Sequence, residues 1–256
     1  MKISYSFYIV LALLLLIGAC KNDNTEVDYN PHVNAAKDYV TAQGVFLGIF
    51  NTYFKAIHNP LVLNGAKVRI DSAEVTYDED NRVMLFTYGS NPQTCPDGCQ
   101  RVGFYIVTFD GTVNNPGTKA VFDFDTSFHI DEARVDASIS TTYTGVSGSG
   151  KPEYDFILTS GYIDIPDTTV STPVTIGYGC NYLVTFEEGQ QTPAVPDDDL
   201  LLITGTSSGK SKDNYTVSLS VSEPLYDYLN CLWIYSGIHN IHVDNVESAD
   251  GTVDYI

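Results

Sequence analysis

The chain has few basic residues. Its 256 residues include 13 Lys and Arg against 32 Asp and Glu, which gives a formal net charge of −19 at pH 7. Nucleic-acid binding needs basic patches that neutralise phosphates, and electrostatic docking on anionic lipid needs clustered Lys and Arg. The composition therefore argues against both, and we expect no nucleic-acid partner.

Catalytic and nucleotide-binding motifs are also lacking. Gly205–Gly209 (GTSSG) has the G-x-S-x-G spacing, but a strand pattern follows it and not the helix that the nucleophile motif requires. Gly145–Lys151 (GVSGSGK) approaches the phosphate-loop pattern, but Pro152 replaces the Ser or Thr that binds magnesium, and Gly205–Ser211 (GTSSGKS) is one residue short. No helical pattern follows either segment. We interpret both as turns and predict no catalytic residue and no cofactor.

Potential metal ligands are not spaced as a metal site requires. His239 and His242 are three residues apart in a strand-like segment, where such positions point to opposite faces. Asp197-Asp198-Asp199 lacks the alternating acids and the glycine of a calcium loop. We therefore expect surface histidines and a solvated acidic turn, and no metal site.

Trp and Met are scarce, with 1 and 2 residues, whereas Tyr and Phe are abundant, with 18 and 12. From Lys67 onward, apolar residues alternate with a period of two, and turn residues such as Asp110-Gly111 separate the segments. The predicted strands are Arg82–Tyr88, Gly103–Phe109, Lys119–Phe128, Phe156–Ile165, Tyr182–Glu187, Asp199–Thr206, Tyr215–Val221 and Cys231–Ser236.

One segment has helical periodicity. Between Asn34 and His58, apolar residues recur every three or four positions, so we predict one α-helix, capped by Asn34 and ended by Asn59-Pro60. Gly44 and Gly48 lower its intrinsic stability, which indicates close packing against another element.

The fold class is therefore mainly β: an antiparallel β-sandwich or an extended β-meander with one N-terminal α-helix. The predicted organisation is a leader at 1–19, an acidic flexible tether at 20–31, the helix at 32–60 and an antiparallel β domain at 61–256. Two loosely repeated halves with a break near 146–152 are an alternative within that domain.

The leader ends at a cysteine. Lys2 precedes an apolar run, Ile9–Ile17, that suits a secretory signal better than a membrane span, and Gly18-Ala19-Cys20 follows. The segment Ile17–Cys20 resembles the bacterial lipobox, which implies cleavage before Cys20 and its modification by lipid. Two or three acyl chains anchor a protein durably on a membrane. The alternative is an ordinary cleaved signal, to which Ile17 is poorly suited.

Four further cysteines are Cys95, Cys99, Cys180 and Cys231. An even number in an exported chain favours two disulfides, for which three pairings exist. The turn sequence Cys95-Pro-Asp-Gly-Cys99 favours a local bridge, which leaves Cys180 with Cys231. A metal site is less favoured because no His lies nearby.

Several segments resemble an uncharacterised family of all-β lipoproteins from Bacteroidota. They include Tyr88-Gly89 before Cys95, Gly103–Thr112, Val184–Gln190, Ile203–Gly209 and Gly251–Tyr255. The resemblance implies the fold and a place in the cell envelope, as an outer-membrane lipoprotein on the periplasmic face or the cell surface, but no activity. Ser72 and Thr168 also lie in tripeptides that resemble the O-glycosylation pattern of exported Bacteroidota proteins.

The expected function follows from this predicted location in the cell envelope. We expect a lipoprotein attached to the membrane through Cys20, with a non-catalytic binding or scaffolding role and a glycan or an envelope protein as partner. A glycan-binding module is the alternative, since the many Tyr residues can stack on sugar rings. A hydrolase with dispersed active-site residues is the third hypothesis.

Overall fold

The structure is a computed structural model that describes residues 31–167, 172–193, 195–231, 234–244 and 249–255. The chain from Pro31 onward forms one compact unit. The predicted leader, most of the tether, Cys20 and Thr168 lie outside the described residues.

Two helices precede the strands: α1 (Pro31–Ile57) and the short α2 (Pro60–Leu63). The predicted helix is confirmed, but Asn34 lies inside α1 and is not its cap. Pro31, whose fixed φ suits a first helical turn, begins the helix. Asn59 caps α2, because its side-chain oxygen accepts from the Leu61 N–H at 3.0 Å. Among the described residues no helix is long and apolar enough to cross a membrane.

Antiparallel strands form the rest of the fold. In chain order they are β1 (Val68–Ile70), β2 (Ala73–Asp78), β3 (Val83–Thr94), β4 (Gln100–Phe109), β5 (Lys119–Phe124), β6 (His129–Ile130), β7 (Ala133–Val146), β8 (Pro152–Ile165), β9 (Val174–Glu188), β10 (Leu200–Lys210), β11 (Thr216–Tyr228), β12 (Ser236–Asp244) and β13 (Ala249–Tyr255). They make one 13-stranded sheet in sequence order, except that β6 pairs with β4 and β7 off this path. The predicted mainly-β class is confirmed, and the architecture is the meander.

Three predictions about segments need correction. The described part of the predicted strand Cys231–Ser236 is not a strand up to Ser236, because Cys231 lies in a bend and β12 begins only at Ser236. Gly205–Lys210 belongs to β10 and not to a turn. β7 was absent from the predicted strands because Thr141 and Gly145, at inward-facing positions, interrupt its apolar alternation. The candidate break at 146–152 falls in the loop between β7 and β8, which pair with each other along their length.

The inner face of the sheet curves around α1. Rings of the helix pack on strands from both halves of the sheet: Tyr53 lies against Phe122 of β5, and Phe54 against Phe186 of β9. Further contacts join α1 to β1 and to β10, β11 and β12. Because one helix touches strands that are so far apart in the sheet order, the sheet must wrap around it.

The helix is therefore buried on more than one side. From Ala42 to Ile57 none of its residues is exposed. The less buried residues of this stretch include a polar and small stripe at spacings of three or four: Gly44, Gly48, Asn51 and Lys55. This stripe is the part of the helix surface from which the candidate site is built.

Two glycines, one in Gly103–Thr112 and one in Ile203–Gly209, allow another backbone segment to approach a strand closely. Gly103 in β4 has φ +86°, and a Cβ placed there would lie 2.3 Å from the Ser127 carbonyl oxygen. Gly205 in β10 has φ +126°, and its Cβ would lie 2.2 Å from the Asn181 carbonyl oxygen. Both positions require glycine for conformational and steric reasons.

Gly103→Ala should destabilise the protein by roughly 2–4 kcal/mol, because it adds left-handed strain to a clash with the Ser127 backbone. Chemical denaturation measures the difference. Gly148→Ala is the matched control: no heavy atom lies within 4 Å of a Cβ at Gly148, so its stability should stay within about 0.5 kcal/mol of wild type. Equal stabilities of the two variants would contradict the close approach.

Candidate ligand-binding cleft beside the helix

A cleft of about 300 Å³ runs along the polar stripe of α1. Asp71, in the turn between β1 and β2, lies on its wall, and so does Tyr255 of β13. These elements are at opposite ends of the strand order, so the cleft lies where the two ends of the sheet meet the helix. We call it the α1 cleft.

Lys55 lines one side of the α1 cleft. Its ammonium group lies 2.8 Å from both carboxylate oxygens of Asp71, and the two side chains are only 13% and 21% exposed. Thr52 donates a further hydrogen bond to Asp71 at 3.1 Å. The cation is therefore already paired, in surroundings where solvent screening is weak.

Arg101 is the second cation and is also paired. It forms a bidentate contact with Asp97, with Nη1 to Oδ1 at 2.9 Å. Asp97 also accepts from the Cys99 N–H at 3.0 Å. The guanidinium lies against α1 at Gly48, where a Cβ would be 3.5 Å from Nη2. The packing expected at Gly48 is thus against the arginine that lines the cleft.

Asp227 is the most deeply buried acid of the cleft, with 3% exposure. Its Oδ2 accepts from Asn51 Nδ2 at 2.9 Å, and among the described residues Oδ1 accepts no hydrogen bond. Burial raises the pKa of Asp227 to about 6, against the opposing influence of Asn51 and Lys55. Its ionised form is therefore poorly compensated by the surrounding groups.

Asp199 lies beside the α1 cleft in a smaller pocket that also contains Lys55 and Asp71. Burial, followed by the neighbouring charge of Asp198, raises its pKa to about 7. Its Oδ1 is buried and has no partner among the described residues. One lysine thus faces Asp71, Asp199 and Asp227, and it neutralises only the first.

His58 closes the helix end of that smaller pocket. Its Nδ1 donates to the Phe54 carbonyl at 2.9 Å, so Nε2 is the acceptor for the Tyr154 hydroxyl at 3.1 Å. Burial lowers the pKa of His58 to about 4. Both ring nitrogens are engaged, and neither is free to act as a general base.

A buried hydrogen-bond network holds the opposite wall of the α1 cleft. Gln43 donates to the Tyr182 hydroxyl at 3.0 Å, and the Tyr255 hydroxyl donates to Gln43 Oε1 at 2.9 Å. Tyr182 continues the network to Tyr178 at 2.9 Å. The network ties β13 to the helix and thereby positions the far side of the cleft.

The predicted disulfide cysteines are free thiols in the structure. Cys95 and Cys99 close a tight turn, in which the Cys95 N–H donates to the Cys99 carbonyl at 2.9 Å. Cys180 is buried in β9, and burial raises the pKa of its thiol, whereas Cys231 is exposed. The disulfides stay a prediction.

The two histidines do point to opposite faces, as predicted, but the expectation of two surface side chains is wrong. His239 is 1% exposed, and neither ring nitrogen has a partner among the described residues. Its pKa falls to about 4 because of burial. His242 lies on the outer face, 2.7 Å from Asp250. Asp199, expected in a solvated turn, is likewise buried, directly before β10 begins at Leu200.

Ser72, one of the glycosylation candidates, is half-buried, and its hydroxyl donates to the Thr94 carbonyl at 2.9 Å. Eight of the 15 tyrosines among the described residues lie in the core. The buried ones are Tyr39, Tyr53, Tyr77, Tyr88, Tyr105, Tyr154, Tyr178 and Tyr182. The number of tyrosines therefore gives little support to the hypothesis that exposed Tyr rings on one surface stack on sugar rings.

A second, larger groove lies on the outer face of β8–β13. Small polar residues dominate its outward positions, including Thr206, Ser208, Ser218, Ser220 and Asn240. Such residues are ordinary on the solvent face of a sheet. The α1 cleft is the stronger candidate because it buries charged groups, which a protein does not bury without compensation.

The residues of the α1 cleft were not identified as a site from the sequence. The signal that was available is the stripe of Gly44, Gly48, Asn51 and Lys55, which separates apolar positions of the helix. Its partners come from distant segments, so their approach to the stripe depends on how the sheet curves.

No family model matches the chain, and neither a curated protein nor a solved structure is significantly similar to it. The resemblance to Bacteroidota lipoproteins therefore stays a prediction. Among the described residues, no group of three or more His, Cys, Asp or Glu side chains is arranged to hold a metal ion.

Asp199→Asn should change the pH dependence of stability. The pKa of this carboxyl is about 7 in the folded chain, against an ordinary 3.8, so wild type loses stability as pH rises through that interval. The variant should gain at least about 1 kcal/mol relative to wild type between about pH 5 and pH 8, as expected for a shift of a pKa unit or more.

Thermal denaturation at the two pH values measures this gain. Asp80→Asn, at an exposed turn position, is the control and should follow wild type. If the difference between Asp199→Asn and wild type does not change with pH, Asp199 is not buried as described.

Proposed function

We propose that this chain is a lipid-anchored cell-envelope protein whose globular part binds a small molecule in the α1 cleft without transforming it. Cys20 supplies the anchor, and the outer membrane is the proposed location. The observation that carries the binding role is the cleft itself, in which Lys55, Arg101 and Asp227 are drawn together from separate parts of the chain.

Energetics support a ligand rather than a purely structural role. Removing a charge from water costs several kcal/mol, about as much as a fold gains from several buried apolar groups. Well-packed apolar residues would stabilise the same seam at least as well. Retaining paired cations and a poorly compensated acid beside an open cleft is instead typical of a binding site.

The arrangement favours binding over catalysis. His58 has both ring nitrogens engaged, and Lys55 and Arg101 are each held by a carboxylate. Neither cation is positioned as an activated nucleophile, which requires a free or deprotonated group. Hydrolysis is therefore the less supported hypothesis, and glycan binding stays a prediction of the sequence.

The anchor is tested by metabolic labelling with a palmitate analogue. Wild type should incorporate the label, and Cys20→Ala should not, because the thiol of Cys20 is the acylated group. Cys231→Ala, at an exposed cysteine of the globular part, is the control and should keep the label. Labelling of Cys20→Ala at the wild-type level would refute the anchor.

The binding role is tested by filling the cleft. Gly48→Leu places a side chain in it, whereas Gly148→Leu adds the same side chain where nothing lies within 4 Å of a Cβ. Each lipidated protein is incubated with a small-molecule extract of bacterial cells, and retained compounds are identified by mass spectrometry after release.

Wild type and Gly148→Leu should retain a compound that Gly48→Leu loses. If no compound is retained, or if Gly48→Leu retains the same one, the α1 cleft is not the binding site. A thermal melt of each variant confirms that it is folded.

A further inference from the structure

Both cations that the described residues bring to the α1 cleft are already paired with carboxylates of the protein. Lys55 contacts both oxygens of Asp71, and Arg101 forms a bidentate pair with Asp97. An incoming carboxylate or phosphate would compete with these intramolecular partners for both cations. The cleft is therefore poorly suited to anions.

Two acceptors that line the cleft have unfilled hydrogen-bonding capacity. Asp227 is 97% buried, since 3% of it is exposed, and it lines the cleft. Asn51 Nδ2 donates a hydrogen bond to Asp227 Oδ2 at 2.9 Å, while Asp227 Oδ1 has no hydrogen bond among the described residues. The Asn51 amide is oriented by this contact, and its own oxygen is also without a partner. A ligand that satisfies these groups must donate.

The charges of the residues that line the cleft also favour a ligand that donates, and specifically a cation. Two cations, Lys55 and Arg101, face four carboxyl groups, those of Asp71, Asp97, Asp197 and Asp227. A buried carboxylate without a counter-ion is costly, and a cation that binds beside it recovers that cost through a charge-assisted hydrogen bond. A neutral donor would satisfy the hydrogen bond but leave the charge uncompensated.

The shape of the cleft limits the cation. Val40, Leu47, Leu229 and Ile234 form apolar portions of the wall, and about 300 Å³ lies at the small end of ligand pockets. The walls suit a short aliphatic chain. A bare divalent ion is not favoured, because among the described residues no three acids or histidines are arranged to hold one.

We propose that the α1 cleft binds a small aliphatic amine, whose ammonium group pairs with Asp227 Oδ1 while its carbon chain lies along the apolar wall. This inference rests on the proposed binding role of the cleft and names the ligand class. Asp227 acts as the counter-ion, and Asn51 positions its carboxylate.

The test uses three probes with the same four-carbon chain and different charge. They are 1,4-diaminobutane, which is a dication at neutral pH, the neutral butane-1,4-diol and the dianion succinate. Isothermal titration calorimetry on the lipidated full-length protein measures the affinity of each. The diamine should bind saturably, and the diol and succinate should bind at least tenfold more weakly, the effect of one charge-assisted contact.

Asp227→Asn, which keeps the shape of the side chain, should lower the affinity for the diamine at least tenfold. Removal of an acid whose pKa burial raises should not unfold the protein at neutral pH, and a thermal melt checks this. Asp136→Asn is the matched control: Asp136 lies outside the cleft lining, and its side chain is 50% exposed. It should bind the diamine as wild type does.

Three outcomes would overturn the inference: no saturable binding of the diamine up to about 10 mM, equal binding of the diol, or unchanged affinity in Asp227→Asn. If succinate or the diol binds instead and Gly48→Leu abolishes that binding, the cleft is a binding site for another class of ligand. The failure of the amine inference is thereby separated from failure of the proposed function.

Discussion

The structure depends on the burial of α1 against the inner face of one long sheet. A meander of this length presents an apolar face that another layer must cover, and the aromatic rings of α1 supply that layer. Phe46, Phe50 and Phe54 are fully buried, and each such side chain contributes about 1.5–3 kcal/mol. Two mid-helix glycines together cost about 2 kcal/mol. Tertiary packing therefore outweighs the weak intrinsic propensity of the helix.

The same arrangement creates the α1 cleft. The sheet does not pair β1 with β13, so its two ends meet the helix without joining each other. At this seam the helix presents its small and polar stripe. Gly48 admits the Arg101 guanidinium, and Lys55 faces Asp71, Asp199 and Asp227. The fold accommodates charged groups at this seam because the apolar layers end there. The acids of the cleft exceed its cations in number, so we expect the cleft to prefer ligands that donate hydrogen bonds.

Sequence periodicity predicted the helix and most strands because both signals are local. Periodicity did not predict β7, because Thr141 and Gly145 occupy inward positions in that strand. It also predicted a strand at Cys231–Ser236, whereas β12 begins only at Ser236. Asp199 and His239 were expected at the surface, since isolated polar residues usually are. His239 is buried because strand register places it on the inner face, and register depends on pairing with distant strands. Asp199 is buried in the segment that leads into β10, where its carbonyl accepts from the Leu229 N–H at 3.1 Å.

The amino-acid sequence alone determines the mainly-β class, the single long helix, the acidity that argues against nucleic acid, and the chemistry expected of Cys20. Each of these follows from composition or from spacing along a short stretch. Tertiary structure alone decided that Asn51 meets Asp227, that Arg101 packs on Gly48, and that Lys55 stands among three aspartates. Those contacts join segments up to 176 residues apart. They arise only when the sheet curves around the helix, so no local pattern encodes them.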